Sequence, residues 1–194
     1  IPSAAIPDRV ELYRAPADVE PPRAELQRAI EILQAAERPF IFCGRASRSE
    51  EGWHDRVRLA ELLGARTTAH MKLPAAFPTN HAAFIGETGW RLKGPVLEAI
   101  RAADAVVMLD WLDPGNTLKL AFPPGTPRPP VIVVSNDFQI HRGWNMDYGG
   151  LPAADVNLPT VPETGVRCLL EGLEGRRAKP TAQPPRAWQP EAPG

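Results

Sequence analysis

The amino-acid sequence predicts one three-layer α/β domain built on a mostly parallel sheet of about six strands. Short apolar runs of four or five residues alternate along the chain with segments of helical periodicity. This alternation is typical of a parallel sheet that is covered by helices on both faces. The chain has 194 residues, of which 43% are hydrophobic and 23% are charged, so one ordinary hydrophobic core is expected.

The apolar runs locate the strands. The strongest runs are residues 131–134 and 105–109, and unbroken apolar runs of this length suit strands that are buried on both faces. The predicted strands cover residues 40–43, 66–70, 84–85, 105–109, 131–134 and, weakly, 155–158. Residues 71–83 and 86–94 are predicted to be irregular.

The helix ends are marked by residues with specific backbone preferences. Pro21 and Pro22 mark the start of the first helix, because proline fits a first helical turn, and Gly64 ends the second helix. Asp113 is a candidate N-cap, with Pro114 in the first helical position behind it. The predicted helices cover residues 22–37, 52–63, 95–101, 113–122 and 162–173. Strands and helices in this order predict a Rossmann-like domain.

Charge and composition exclude several classes of partner. The net charge of −1 and the lack of a basic stripe argue against nucleic acid, and no apolar run reaches the roughly 20 residues of a membrane span. Cys43 and Cys168 lie in a strand-like and a helix-like run, so both are expected to be buried free thiols in a cytoplasmic protein. The four histidines have no metal-ligand spacing.

Proline is concentrated at the two ends of the chain and at one place in the middle. The chain has 23 prolines in 194 residues, more than twice the usual share of ~5%. The terminal clusters predict extended interdomain linkers at residues 1–21 and 176–194, with the domain at 22–175. The expectation is therefore a fragment of a longer polypeptide.

The sequence contains no complete catalytic motif. The first strand ends in a single glycine, Gly44, whereas a dinucleotide fingerprint needs G-x-G-x-x-G. A P-loop and a nucleophile elbow are also missing from the sequence. No residue is therefore assigned a catalytic or metal-binding role, and a nicotinamide-dependent dehydrogenase is not expected.

The candidate ligand contacts lie at the carboxyl ends of the predicted strands, where open α/β sheets bind ligands. Gly44 and Arg45 follow the first strand, Asp110 follows the fourth, and Asn136 and Asp137 follow the fifth. Main-chain N–H groups near Gly44 and the Arg45 guanidinium suit a phosphate, and Asn136 or Asp137 suit ribose hydroxyls. Alternatively, Asp and Asn serve there as ordinary turn residues and Arg45 is solvated.

Five segments of the chain, taken in order, resemble one known domain. One of them holds a Phe77-Pro78 pair and His81 ahead of Gly86. The segments are residues 37–44, 59–65, 72–86, 102–109 and 131–137. Together they resemble the central domain of thiamine-diphosphate-dependent enzymes of the acetolactate synthase and 2-oxo-acid decarboxylase type, and the resemblance covers about residues 22–175.

The resemblance implies that this chain is the non-catalytic central domain of a three-domain transferase or lyase. In that family the two flanking domains bind thiamine diphosphate and Mg²⁺ across a dimer interface, and the enzymes assemble as homodimers or tetramers. The central domain has a six-stranded parallel sheet and binds FAD or ADP in some members. The catalytic glutamate and the Gly-Asp-Gly metal motif belong to the flanking domains, so neither is assigned in this chain.

Two departures from the family pattern bear on nucleotide binding. Members that hold a nucleotide tend to have several glycines after the first strand and Gly-x-Arg after the fourth. This chain has Gly44-Arg45 at the first place and residues 110–113, with two aspartates, at the second. The change in charge disfavours a pyrophosphate and therefore FAD. ADP stays open because three basic residues supply positive charge: Lys72, Lys119 and Arg142.

Two other functions stay open at this point. A stand-alone nucleotide-binding or regulatory module would have affinity for ADP, flavin or NAD without partners. A protein-interaction module would use the Pro-rich ends as ligands for Pro-binding domains. The aromatic-rich run at residues 141–148 is predicted to pack on a neighbouring domain, and the alternative is that it covers the sheet edge.

Overall fold

The computed structural model describes residues 9, 12, 17–88, 91, 92, 94–137 and 152–174, which contain five helices and six strands. The helices are α1 (Arg23–Ala35), α2 (Glu50–Leu63), α3 (Gly94–Arg101), α4 (Pro114–Ala121) and α5 (Pro162–Leu173). The strands are β1 (Pro39–Cys43), β2 (Arg66–His70), β3 (Phe84–Thr88), β4 (Ala105–Leu109), β5 (Val131–Val134) and β6 (Val156–Leu158).

All six strands form one parallel sheet in the order β3-β2-β1-β4-β5-β6. The chain moves outward from β1 to β3, returns across the centre to β4, and then continues outward in the other direction. The order reverses between β1 and β4, and such a reversal leaves a crevice beyond the carboxyl ends of the two strands. The predicted three-layer, Rossmann-like fold is confirmed.

The two faces of the sheet carry two separate apolar cores, because successive strand residues point to opposite faces. Ile41 and Cys43 of β1 pack in the core that includes α1, α2 and α5, while Phe40 and Phe42 pack in the core that includes α3 and α4. Every residue of β1 and of β4 is buried. The continuous apolar runs in the sequence therefore reflect helices on both faces.

Local capping explains where two of the helices begin and end. The Ser49 side chain accepts a backbone N–H three residues on at the start of α2, and Gly64 ends that helix in the left-handed conformation with φ 61°. The Asp113 side chain accepts the N–H of Asn116 at 3.1 Å, with Pro114 in the first turn of α4. Gly64, Asp113 and Pro114 are the end signals that the sequence predicts. The Ser49 cap was not predicted, and α2 begins two residues before the predicted start.

β3 is longer than the sequence predicts. It runs over Phe84–Thr88, so residues 86–88, predicted to be irregular, belong to the sheet. Its last two residues pair with Ala69 and His70 of β2. The polar composition of this half-exposed edge strand conceals it from pattern analysis, and the neighbouring strand supplies the order.

Part of the predicted N-terminal linker lies against the domain. The Thr160 hydroxyl donates to the Val19 carbonyl oxygen at 2.6 Å, and the Thr164 hydroxyl donates to the Asp18 carboxylate at 3.2 Å. Both threonines are buried. The segment just before α1 is therefore held at the start of α5.

Several predicted features lie outside the described residues. They are most of the N-terminal linker, the aromatic-rich run at 141–148 with Arg142, and the C-terminal linker at 176–194. The predictions made for them stay predictions. Within the described part of the chain, every helix is too short or too polar to cross a membrane.

Asp155 holds the beginning of β5 in place. Its carboxylate accepts the Val131 N–H at 2.8 Å and the Arg128 guanidinium at 2.5 Å. Burial raises the pKa of Asp155, but these hydrogen bonds and the positive charges of Arg128 and Arg28 outweigh burial, and the pKa lies below its ordinary value of 3.8. The stabilisation is therefore present above pH 3.8 and is lost as the pH falls through the lower, folded-state pKa.

Replacing Asp155 with asparagine is expected to lower the free energy of unfolding at neutral pH by about 1 kcal/mol, because the site is partly exposed to water. The difference from the wild type should shrink as the pH falls below 3.8. Urea unfolding across the acid range measures it, with Glu171→Gln on the exposed side of α5 as a charge-matched control. A difference that stays constant throughout the acid range would contradict the role of the Asp155 charge.

Candidate functional site

Four of the five predicted contact residues meet at the carboxyl edge of the sheet, beside the crevice between β1 and β4. Gly44 and Arg45 follow β1, Asp110 follows β4, and Asp137 lies beyond β5. They meet because these three parallel strands are neighbours. The fifth residue, Asn136, is exposed in the same loop as Asp137. Contact of these residues with a nucleotide stays a prediction.

The loops after β1 and β4 touch through their main chains. The Gly44 N–H donates to the Leu109 carbonyl oxygen at 2.9 Å, and the Arg45 N–H donates to the Asp110 carbonyl oxygen at 3.0 Å. A Cβ atom placed on Gly44 would lie 2.2 Å from that Asp110 oxygen. Glycine is therefore required at position 44 for the close approach of the two main chains.

The Arg45 guanidinium joins the three loops. Its Nε and Nη2 atoms lie 2.9 and 3.0 Å from the two carboxylate oxygens of Asp110, and Nη2 also donates to Asp137 at 3.1 Å. The Asp110 and Asp137 side chains are only 16% and 20% exposed, so water screens these pairs only in part. Among the described residues, this ion network joins one positive and two negative side chains.

Asp110 lies at the centre of the ion network and has an unusual backbone. Its φ of 44° falls in the left-handed region that favours glycine. Its N–H donates to the Val134 carbonyl oxygen at 2.7 Å, and its carboxylate accepts a short hydrogen bond from the Ser135 hydroxyl. That hydroxyl also accepts the Asp137 N–H at 2.9 Å. These contacts hold Asp110 in a conformation that costs about 1–2 kcal/mol for a residue with a side chain.

Aromatic rings lie beneath the loop that follows β4. Trp111 is buried, and its indole N–H donates to the Thr117 hydroxyl at 2.8 Å. The centroid of its ring system lies 4.9 Å from that of Phe42 and 5.3 Å from that of His70. Trp111 therefore belongs to the core under the candidate site, and its polar atom is satisfied within the chain.

A second polar cluster, which the sequence analysis missed, surrounds Arg56 of α2. The Arg56 side chain is 1% exposed. Its guanidinium donates to the Ala76 carbonyl oxygen at 2.9 Å, to the Ser47 carbonyl oxygen at 3.2 Å and to the Glu163 carboxylate at 3.3 Å. Glu163 also accepts the Ser47 N–H at 2.5 Å. This cluster ties together the loop after β1, the segment between β2 and β3, and the start of α5.

The sequence did carry a signal for Arg56. The residue lies three and four positions before Leu59 and Ala60, which places it on the buried side of α2. A charge in such a position needs a buried partner. The partner could not be named, because Glu163 lies 107 residues away along the chain. Burial lowers the pKa of Arg56, and Glu163 and other nearby groups oppose this shift, so the guanidinium stays charged.

The described residues do not form a metal site. Among them, no three His, Cys, Asp or Glu side chains are grouped so that they could hold a metal ion. The free cysteines Cys43 and Cys168 are both buried, as predicted. Burial raises the pKa of the Cys43 thiol to about 12, so this thiol is protonated and unreactive at neutral pH.

The strand order and the crevice at its reversal define a doubly wound α/β domain of the Rossmann type. The model of one family, the central domain of thiamine pyrophosphate enzymes, matches residues 26–145, which is more than half of the 194 residues. The chain therefore belongs to this family.

Two known proteins are similar to this chain over different lengths. Sulfoacetaldehyde acetyltransferase of Alcaligenes xylosoxydans xylosoxydans is 31% identical over 86 residues, which are 44% of this chain and 14% of that protein. The X-ray structure of a Mycobacterium smegmatis protein, described as a thiamin diphosphate-dependent enzyme, matches 92% of this chain with a TM-score of 0.63 and 19% identity. This second likeness shows the fold. The chain corresponds to 33% of that structure, so it spans only part of both relatives.

Proposed function

We propose that this chain is the non-catalytic central domain of a larger enzyme that uses thiamine diphosphate and Mg²⁺ and acts on a 2-oxo acid. The match of residues 26–145 to the central-domain family carries the proposal. The chain corresponds to 33% of the structurally similar enzyme, which supports a parent of three domains. At roughly 150–200 residues for each domain, the parent would have about 550 residues.

The central domain contributes a rigid body to this enzyme. Thiamine diphosphate, when bound by the flanking domains, supplies carbanion stabilisation. The residues of this chain supply the sheet, its two cores and the contacts of Thr160 and Thr164 with residues 18 and 19, which fix the direction in which the preceding segment enters the domain. We further propose a homodimeric or tetrameric parent in the cytoplasm, where Cys43 and Cys168 stay reduced.

The test uses the full-length natural protein mixed with thiamine diphosphate, Mg²⁺ and a panel of 2-oxo acids, with CO₂ release as the measurement. Turnover of one of these acids is expected, and the 194-residue chain alone should be inactive as the matched control. Tight binding of thiamine diphosphate by the 194-residue chain alone would contradict the proposal. If the full-length protein neither releases CO₂ from any acid of the panel nor binds thiamine diphosphate, the enzyme hypothesis is wrong.

A second candidate activity is acetyl transfer from sulfoacetaldehyde. The 31% identity over 86 residues with sulfoacetaldehyde acetyltransferase supports it, but those residues lie in a domain that forms little of the substrate pocket. Sulfoacetaldehyde therefore joins the panel together with inorganic phosphate as an acetyl acceptor. Because sulfoacetaldehyde has no carboxyl group to lose as CO₂, its turnover is measured by the sulfite released when the C–S bond breaks and by the acetyl group formed on the acceptor. If sulfoacetaldehyde is turned over and no 2-oxo acid is, sulfoacetaldehyde becomes the proposed substrate in place of a 2-oxo acid. The family match does not favour the stand-alone nucleotide-binding module.

A further inference from the structure

The loop after β1, residues 44–47, is the place where Rossmann-type domains bind a diphosphate. Such binding requires main-chain N–H groups that point into the crevice and are free to donate to phosphate oxygens. It also requires a helix N-terminus or a cationic side chain that faces the ligand.

The main-chain N–H groups of this loop are already engaged. Gly44 and Arg45 donate to the carbonyl oxygens of Leu109 and Asp110, and Ala46 donates to the Gly44 carbonyl oxygen at 2.9 Å. Ser47 donates to the Glu163 carboxylate at 2.5 Å. Four consecutive donors are thus satisfied within the chain, and a phosphate would have to break these hydrogen bonds before it could accept any of them.

The N-terminus of α2 is also occupied. Ser49 caps the helix with its own hydroxyl, and Glu50 and Glu51 occupy the first turn. These two carboxylates already interact favourably with the positive end of the helix dipole, so they would repel a bound anion. The helix that would assist phosphate binding in a Rossmann-type domain therefore gives a phosphate little assistance in this chain.

Arg45, the cationic side chain that the sequence suggests for a phosphate, already forms ion pairs with two carboxylates. Arg45 contacts the carboxylates of both Asp110 and Asp137, so an incoming phosphate would compete with two carboxylates for one guanidinium. The carboxylates of Asp110 and Asp137 would also repel a phosphate that approached the same guanidinium. Main-chain donors, helix dipole and charge point to the same conclusion by independent routes.

We infer that the crevice between β1 and β4 is closed to nucleotide diphosphates, and that the ion network of Arg45, Asp110 and Asp137 joins the three loops in place of a ligand. FAD and ADP, which some members of the family hold in the central domain, do not bind at this position. At this crevice the loops of one chain bind each other directly, so the crevice needs no nucleotide to keep its shape.

The first experiment measures hydrogen exchange by mass spectrometry on the full-length protein saturated with thiamine diphosphate, so that its own diphosphate site is filled. The peptide that contains residues 44–47 should be protected without nucleotide, because all four amides are hydrogen-bonded. FAD or ADP added to about 1 mM should leave the exchange of this peptide unchanged. Such a result would mean that the dissociation constant of either nucleotide is well above about 1 mM. If adding FAD or ADP slows the exchange of this peptide, the inference is overturned, whether exchange without nucleotide is fast or already slow. The readout is local, so it is independent of whether the enzyme turns over a 2-oxo acid.

The second experiment releases the arginine from its partners. Asp110→Gly removes one carboxylate and suits the positive φ at that position, and Asp137→Asn removes the other negative charge. With both changes, affinity for inorganic pyrophosphate should rise on the order of tenfold or more, because a freed guanidinium makes charge-assisted hydrogen bonds with phosphate. The double variant Glu98→Gln with Glu171→Gln, at two exposed helix positions, removes the same number of negative charges and is the control. Its affinity should equal that of the wild type. A folded double variant with unchanged affinity would contradict the role assigned to the ion network.

Discussion

Replacing Arg56 with methionine is expected to lower the free energy of unfolding by about 3–5 kcal/mol, because removal of one member of a buried, hydrogen-bonded charge pair leaves the others unpaired. Glu163 would keep a partly buried negative charge without its cationic partner. The carbonyl oxygens of Ser47 and Ala76 would each lose the donor that Arg56 supplies. Methionine keeps most of the length and apolar volume of the arginine stem, so the loss reports on the guanidinium.

The matched control for this substitution is Arg58→Met, two residues further along α2. Arg58 also forms an ion pair, with Glu174 at 2.5 Å, but its side chain is 61% exposed. Exposed pairs contribute only about 0–1 kcal/mol, so this variant should unfold close to the wild type in urea. A loss below about 1 kcal/mol for Arg56→Met would show that the buried cluster is not a main source of stability.

Replacing Gly44 with alanine is expected to destabilise the domain by about 3 kcal/mol or more, at or beyond the upper end of the usual cost of an overpacked site. The added Cβ would lie 2.2 Å from the Asp110 carbonyl oxygen and 2.5 Å from that of Leu109. Both are main-chain atoms of the central strand β4 and its loop, so no side-chain rotation can relieve the contact. The two strands would have to separate where their main-chain hydrogen bonds join the loops.

Gly94→Ala provides the comparison for this second prediction. Gly94 has a positive φ of 51°, and an added Cβ would meet no other atom within 4 Å, so only the backbone conformation opposes the change, at about 1–2 kcal/mol. Thermal or urea unfolding of the two variants separates crowding from backbone strain. If Gly44→Ala cost no more than Gly94→Ala, the main-chain approach of the β1 and β4 loops would be looser than the structure shows.

The secondary structure could be predicted closely because its causes are local. The run at residues 131–134 needed no context to be identified as a strand, and Gly64 and Asp113 mark helix ends by their own backbone and side-chain preferences. β3 was predicted too short because the cause of its last residues' strand structure is not local. Its last residues are polar and become a strand only because β2 pairs with them.

The candidate site was predictable only in outline. The rule that ligands bind at the carboxyl ends of strands selected Gly44, Arg45, Asp110 and Asp137, and the fold brings these four together. The rule could not reveal that they bind one another, because that depends on which strands are neighbours and how close their loops lie. Arg56 and Glu163 were missed because their partnership spans 107 residues of sequence.

The sequence by itself determined the alternation of strands and helices, the two-sided burial of the central strands and the resemblance to the family, since each depends on residue type and short-range order. The tertiary structure alone decided that the β1 and β4 loops meet at Gly44, that Asp110 adopts a positive φ and that Arg45 is shared by two carboxylates. These features arise from contacts between residues that are 25, 65 and 92 positions apart along the chain. Strand order and the pairing of distant charges are properties of the packed chain, and no local pattern encodes them.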